Sequence, residues 1–170
     1  MASSPLRPPV HLREYSITGF IREVGGHILF GVVAALPTLD PGLVLLCGAE
    51  SILIDSDHLL TFLDFPVEVR LAHSITFALV APLALSYLVR GDRRLNPWVF
   101  LVTLSAFAAH LAFDVYAGNG LVPLLTPFSV AYASLPYWAW FPLEIGAVLL
   151  SALAWYLRRS GGAPTLPRSL

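Results

Sequence analysis

Four histidines and three aspartates of this chain lie inside or at the ends of strongly apolar runs: His27, Asp55, Asp57, His58, His73, His110 and Asp114. Imidazoles mixed with carboxylates are the donor set of a divalent metal centre. A charge at the middle of a bilayer costs about 2.5–3.5 kcal/mol on insertion scales, so ionisable groups in such runs mark a working site. His110-Leu-Ala-Phe-Asp114 has an i, i+4 spacing, which puts both side chains on one helical face where they can meet one ion. The plainer reading of this pair is a buried histidine bonded to an aspartate that ties helices together. Asp55-Ser-Asp57-His58 is the densest cluster and sits between Ser-Ile-Leu-Ile and the apolar Leu59, Leu60 and Phe62. One of its carboxylates can bridge two metals; its alternative is a solvated helix end.

His73 follows Arg70 by one turn. The guanidinium fork of Arg70 suits the paired oxygens of a phosphate, or else the side chain snorkels to lipid headgroups as an anchor. Ser74 reads either as a hydrogen-bond partner to a ligand or as a small helix residue. His27 follows Gly25-Gly26, which permits close approach of a neighbour. Glu144 is a candidate ligand, base or supporting group; Glu50 falls outside the layer described below, and His11 belongs to a polar leader. Two divalent ions bring +4, the three aspartates −3 and one hydroxide −1, a sum near zero that a low-dielectric site favours. The expectation is therefore two ions, zinc first, with manganese or iron as the alternatives.

Five apolar segments must position these groups: about 16–36, 41–60, 70–89, 97–116 and 136–157. Each is close to the ~20 residues that span a bilayer. The first is the weakest because of Arg22, Glu23 and Gly25-Gly26, and it reads also as an interfacial helix bent into a shorter span. Short turns make neighbours antiparallel, so the turns at 37–41 and 90–97 and the end at 158 share one membrane face. Counted from that face, His27 stands 10 residues up, Asp55 14, His73 17, His110 13, Asp114 17 and Glu144 14. At 1.5 Å per residue these heights are roughly 15–25 Å, a single layer between the bilayer centre and the far interface. The fold expected is all-α: a polytopic bundle of about five membrane helices over 16–159, with a polar leader at 1–15 and a disordered tail at 160–170. The leader lacks the apolar core of a signal peptide. The apolar connections Thr61–Val69 and Val115–Leu135 lie on the site side, the longer one with the character of a lid or substrate contact.

Composition agrees with an integral membrane protein. Of 170 residues 56% are hydrophobic and only 12% charged, about half the ~25% usual in soluble proteins; mean hydropathy is +0.73. A net charge of −1 with no basic stripe gives nucleic-acid binding no support. Cys47 is the single cysteine, so no internal disulfide forms. Six arginines (90, 93, 94, 158, 159 and 168) lie on the turn face against four (7, 13, 22 and 70) on the site face. That excess makes the turn face cytoplasmic and the site extracytoplasmic.

With these residues in view, the chain resembles a bacterial and archaeal family of membrane-bound, metal-dependent hydrolases, long carried as a domain of unknown function, which includes an SOS-regulated inner-membrane protein. The matching pieces are Gly26-His27 with Gly31, Ile54-Asp55-Ser56-Asp57-His58, Arg70 with His73-Ser74, His110-xxx-Asp114, and Leu124-Leu125-Thr126-Pro127, in order over about residues 25–130. Ile54 stands where the family often has proline. The resemblance implies a metal-dependent hydrolase with several transmembrane helices in the cell (inner) membrane. The HxxxD pair is more distantly similar to that of zinc-dependent phospholipases C, which hints at phosphoester substrates. The function expected is hydrolysis of a lipid phosphoester, a phospholipid or polyprenyl phosphate, with water activated by the metals and Arg70 and Glu144 in catalytic roles. The rivals are a divalent-cation transporter or channel, which needs polar groups leading to both faces, and a structural or regulatory membrane protein that binds no metal.

Overall fold

The computed structural model describes residues 17–55, 71–90, 95–129 and 131–160. Its elements are α1 (Ile17–Ala35), α2 (Pro41–Leu53), α3 (Ile75–Arg90), α4 (Pro97–Ala117), β1 (Leu121–Val122), β2 (Ala133–Ser134) and α5 (Trp140–Ser160). Single 3-10 turns at Leu36–Thr38, Leu71–His73 and Tyr137–Ala139 precede α2, α3 and α5. Among the described residues the fold is all-α apart from the antiparallel β1–β2 ladder, in which Leu121 faces Ser134 and Val122 faces Ala133.

The middle of the bundle is α4, which packs against α1, α2, α3 and α5. Its sequence is apolar around its whole circumference, as a surrounded helix must be. Small residues from four helices, among them Ala34, Cys47, Ala106 and Ala147, meet in one core cluster, and Ile54, Ala78, Phe107 and Leu111 form a second. A Cβ on Gly31 would stand 2.7 Å from the Cys47 carbonyl oxygen and 2.9 Å from the Gly48 Cα. Only glycine lets α1 lie this close to α2. Helix α1 runs unbroken through Gly25-Gly26.

At one end the chain reverses through Pro37 to Asp40. Asp40 caps α2, its Oδ1 accepting from the N–H groups of Gly42 and Leu43 at 3.0 and 3.2 Å. Arg158 at the end of α5 donates to Asp40 Oδ2 at 2.8 Å and lies over the Trp98 ring, 5.1 Å from its centroid. The N–H of Asn96 donates to the Ser86 carbonyl at 3.2 Å. The α1–α2 turn, the end of α3, the start of α4 and the end of α5 therefore gather at one end of the bundle, as the antiparallel count requires.

The described helices bear out the all-α bundle, and they differ in length. Helix α2 has 13 residues and α3 has 16, about 20 and 24 Å, against a hydrocarbon core of about 30 Å. The α2 segment leaves α geometry at Ile54-Asp55 instead of continuing to residue 60. The third segment starts as a 3-10 turn, and Ser74 then caps α3 by accepting from the Phe77 N–H at 3.1 Å while donating to the Leu71 carbonyl at 2.8 Å. Among the described residues two helical stretches, Pro97–Ala117 and Tyr137–Ser160, are long and apolar enough to cross a membrane. The leader at 1–15 and the tail beyond Ser160 lie outside the described residues.

Candidate metal centre

The end of the bundle opposite the turn gathers polar groups from α4, from α1 and from the residues that end α2 and precede α3. His110 and Asp114 share one face of α4, as their spacing dictates. The helix stops a turn later at Gly118, whose φ of 92° is the left-handed conformation that glycine takes without strain. The Asp114 carbonyl accepts from the Asn119 N–H at 2.7 Å, which fixes the backbone that carries the carboxylate. His27 arrives from α1, Asp55 from the end of α2 and His73 from the 3-10 turn before α3. That turn is tied down by the loop after β1: the Ile75 N–H donates to the Leu124 carbonyl at 2.9 Å.

These five side chains converge. His27 Nε2 lies 2.9 Å from Asp55 Oδ2 and 3.9 Å from Asp114 Oδ1. His73 Nε2 lies 3.3 Å from Asp55 Oδ1 and 3.4 Å from Asp114 Oδ2. His110 Nε2 is 3.7 Å from each of the same two oxygens and 2.8 Å from His73 Nε2. The three histidines and Asp114 are buried, and Asp55 keeps 24% of its side chain exposed. His27, His110 and Asp114 form one group able to hold a metal ion, and Asp55, His73 and His110 form another.

Two details orient the rings. A carbonyl only accepts, so the 2.7 Å contact of His110 Nδ1 with the Ser51 carbonyl is an N–H donated to backbone. That leaves Nε2 as the ring atom turned to the cluster, the arrangement in which metal-binding histidines are held. The His27 ring stacks on that of His110, with centroids 4.0 Å apart and planes 10° from parallel, and meets the edge of Phe113 at 4.6 Å. Phe113 fits there because position 26 is glycine; a Cβ would collide with its ring.

The distances bear on what can be bound. A tetrahedral ion with ligands at about 2.0–2.1 Å sets them about 3.3–3.4 Å apart. The atoms His73 Nε2, His110 Nε2, Asp55 Oδ1 and Asp114 Oδ2 are separated by 2.8, 3.3, 3.4, 3.7 and 3.7 Å along the five edges above. The remaining carboxylate oxygens, Asp55 Oδ2 and Asp114 Oδ1, both turn to His27 Nε2. Each aspartate thus presents one oxygen to the His73–His110 pair and the other to His27.

Of the residues singled out in the sequence, His27, Asp55, His73, His110 and Asp114 are brought together. Asp57, His58 and Arg70 lie outside the described residues. Glu144 is not grouped within ligand distance of the cluster; both its carboxylate oxygens are buried with no hydrogen-bond partner among the described residues. Ser74 is the cap of α3 and not a support for His73. The Ser51 carbonyl was not foreseen, since a backbone acceptor leaves no mark in the sequence beyond its place one turn before Asp55. No protein-family model, no curated protein and no solved structure matches the chain.

Proposed function

We propose that this chain is a membrane-embedded, metal-dependent hydrolase that cleaves a phosphoester of a lipid, as its resemblance to the membrane-bound metal-dependent hydrolases suggests. The observation that carries the reading is the division of each carboxylate between two sets of imidazoles. Asp55 and Asp114 would serve two divalent ions, one held also by His73 and His110, the other by His27. A divalent ion supplies Lewis acidity toward a phosphoryl oxygen and makes water nucleophilic at neutral pH. The residues do the rest. The two aspartates offset the positive charge, the Ser51 carbonyl locks the His110 ring, and Phe113 with the stacked imidazoles keeps bulk water off the α1 side. Arg70, one turn before His73 in sequence, is proposed to hold the phosphate with its fixed fork.

Membrane embedding is supported by where the apolar surface lies. The membrane-length stretch of α4 is 72% buried inside the molecule, but that of α5 only 17%. Helix α5 therefore turns Phe141, Ile145, Leu149 and Leu153 outward, while α1 and α3 expose Ile21, Leu29, Val80 and Leu88. Apolar surface on several sides of a bundle suits hydrocarbon better than water. The deciding experiment is elemental analysis of the detergent-purified protein, with phosphate release from phospholipid vesicles measured in parallel. About two zinc, manganese or iron ions per chain with phosphate release support the reading; a metal-free, inactive wild type removes it.

A further inference from the structure

A second feature of the bundle lies beside the metal centre and takes no part in it. Helices α2, α3 and α4 leave a shallow groove of about 80 Å³ between them, below the ~300–1,000 Å³ of sites that enclose a whole small molecule and suited to part of one chain. Its walls are apolar (Leu53, Phe77, Ala81, Leu85) except at one level, where Glu50 and Thr103 meet. Three of its lining residues neighbour the candidate ligands in the chain: Ile54 precedes Asp55, and Phe77 and Phe107 stand about one turn from His73 and His110. Along α3 its lining runs from Phe77 to Leu85, about 12 Å of helix. Leu53 and Leu85, at its mouth, are exposed, so it opens toward the side where lipid would lie. Ala78, Ala81 and Pro82 keep the α3 wall shallow.

Glu50 indicates what kind of molecule fits. It is 9% exposed, its Oε1 accepts from Thr103 Oγ1 at 3.1 Å, and its Oε2 has no partner among the described residues. A buried carboxyl oxygen left unmet is costly. Glu50 stands five residues before Asp55, about 7 Å along the helix. An occupant whose phosphoryl group rests at the metal centre would bring the first part of its chain to Glu50, and a hydroxyl or amide N–H there would satisfy the free oxygen.

We infer that this groove seats the hydrocarbon chain of the lipid substrate, and that Glu50 selects lipids carrying an O–H or N–H donor between phosphate and chain. The inference rests on the hydrolase reading for the identity of the polar end. The full chain in nanodiscs is mixed with a phospholipid whose chain is amide-linked and ends in a photoactivatable diazirine, or with its ester-linked counterpart. Adducts are mapped by mass spectrometry. The amide-linked probe should label Leu53, Ala81 and Leu85 at least about tenfold more than Leu149 and Leu153 on α5, the contrast expected of a site favoured by about 1.4 kcal/mol. Ala81→Trp, which fills the groove, and Leu85→Trp at its mouth should each abolish that contrast. Glu50→Leu should lower amide-probe labelling about threefold, to the ester-probe level, as loss of one hydrogen bond predicts. Uniform labelling of the groove and α5 overturns the inference, as does groove labelling that both tryptophan variants leave unchanged. Equal labelling by the two probes in the unaltered protein overturns the role of Glu50. A chain that labels in the groove but purifies without metal ends the hydrolase reading and leaves the groove standing; a metal-loaded, active chain with no groove labelling does the reverse.

Discussion

The two ends of the bundle both hold buried or half-buried polar groups, but they are finished differently. At the turn end donors and acceptors match. Asp40 takes two backbone N–H groups on one oxygen and the Arg158 guanidinium on the other, and the Asp40 N–H itself donates to Thr38 Oγ1 at 3.2 Å. Just above, Ser105 donates to the Ala147 carbonyl at 2.7 Å and contacts Ser151 Oγ at 2.7 Å. The protein closes these contacts from its own atoms. At the site end, three imidazole nitrogens and four carboxylate oxygens from five residues converge within a few ångströms. Polar groups that satisfy one another hold helices together; imidazoles and carboxylates that converge on one point form a donor set that can hold a cation.

The largest test of this contrast is removal of single ligands. Asp55→Ala or Asp114→Ala should strip both ions and bring phosphoester hydrolysis to background, because each carboxylate is shared. His73→Ala should lose one ion, and His27→Ala the other, so elemental analysis should fall from about two ions to about one in each. Loss of both ions in His27→Ala would mean a single shared centre. Next in size is the effect of chelation. Each ion present at 100 to 1,000 times its dissociation constant stabilises by about 2.7–4.1 kcal/mol, so a strong chelator should lower the melting temperature by roughly 5–16 °C for each ion it removes from a chain of this size. No shift on chelation would indicate that the site end, like the turn end, is complete without metal.

Much of this was legible from residue type and spacing. The i, i+4 pair His110/Asp114 and the alternation of helix direction give both a shared face and a shared level, and neither depends on tertiary detail. Level does not fix azimuth, however. Glu144 matches the layer by residue count, yet α5 does not bring it to the ligands; nothing in a helix apolar over so much of its surface says which way one carboxylate turns. The length of α2 was overestimated for a related reason. Leu59, Leu60 and Phe62 extend the apolar pattern, and pattern alone cannot register that the chain leaves α geometry at Ile54-Asp55. The long connection after α4 also hid its function in backbone groups: the Leu124 carbonyl anchors the start of α3, and a carbonyl has no residue signature. Gly25-Gly26 stood out as a place of close approach, but that the Phe113 ring is what approaches Gly26, and that the backbone of α2 comes as close to Gly31, is settled only by packing.

A smaller effect should come from Gly31→Ala. The added methyl meets backbone atoms of Cys47 and Gly48 at 2.7 and 2.9 Å, neither of which can rotate away. Helix α1 must move out, and overpacking of this kind costs about 1–3 kcal/mol. Gly31 is one turn from His27 on the same face, so the displacement should also weaken the ion that His27 completes. Metal titration should show one site lost at lower chelator concentration and the other unchanged. If both sites weaken together, α1 is not an independent support of the second ion.

The smallest changes belong to the turn end and serve as its control. Asp40→Ala removes the cap of α2 and the partner of Arg158. The cap accounts for about 1 kcal/mol, and the ion pair adds at most about as much, since both side chains are partly solvated. Asp40→Asn separates the two: the amide oxygen can still accept from the Gly42 and Leu43 N–H groups, so only the ion pair is lost and stability should fall by well under about 1 kcal/mol. In both variants metal content and phosphate release should match the wild type, because these contacts lie at the opposite end of the bundle. A drop in metal content in Asp40→Asn would show that the two ends are coupled through α4, and that the self-satisfied end also sets the geometry of the one that needs an ion.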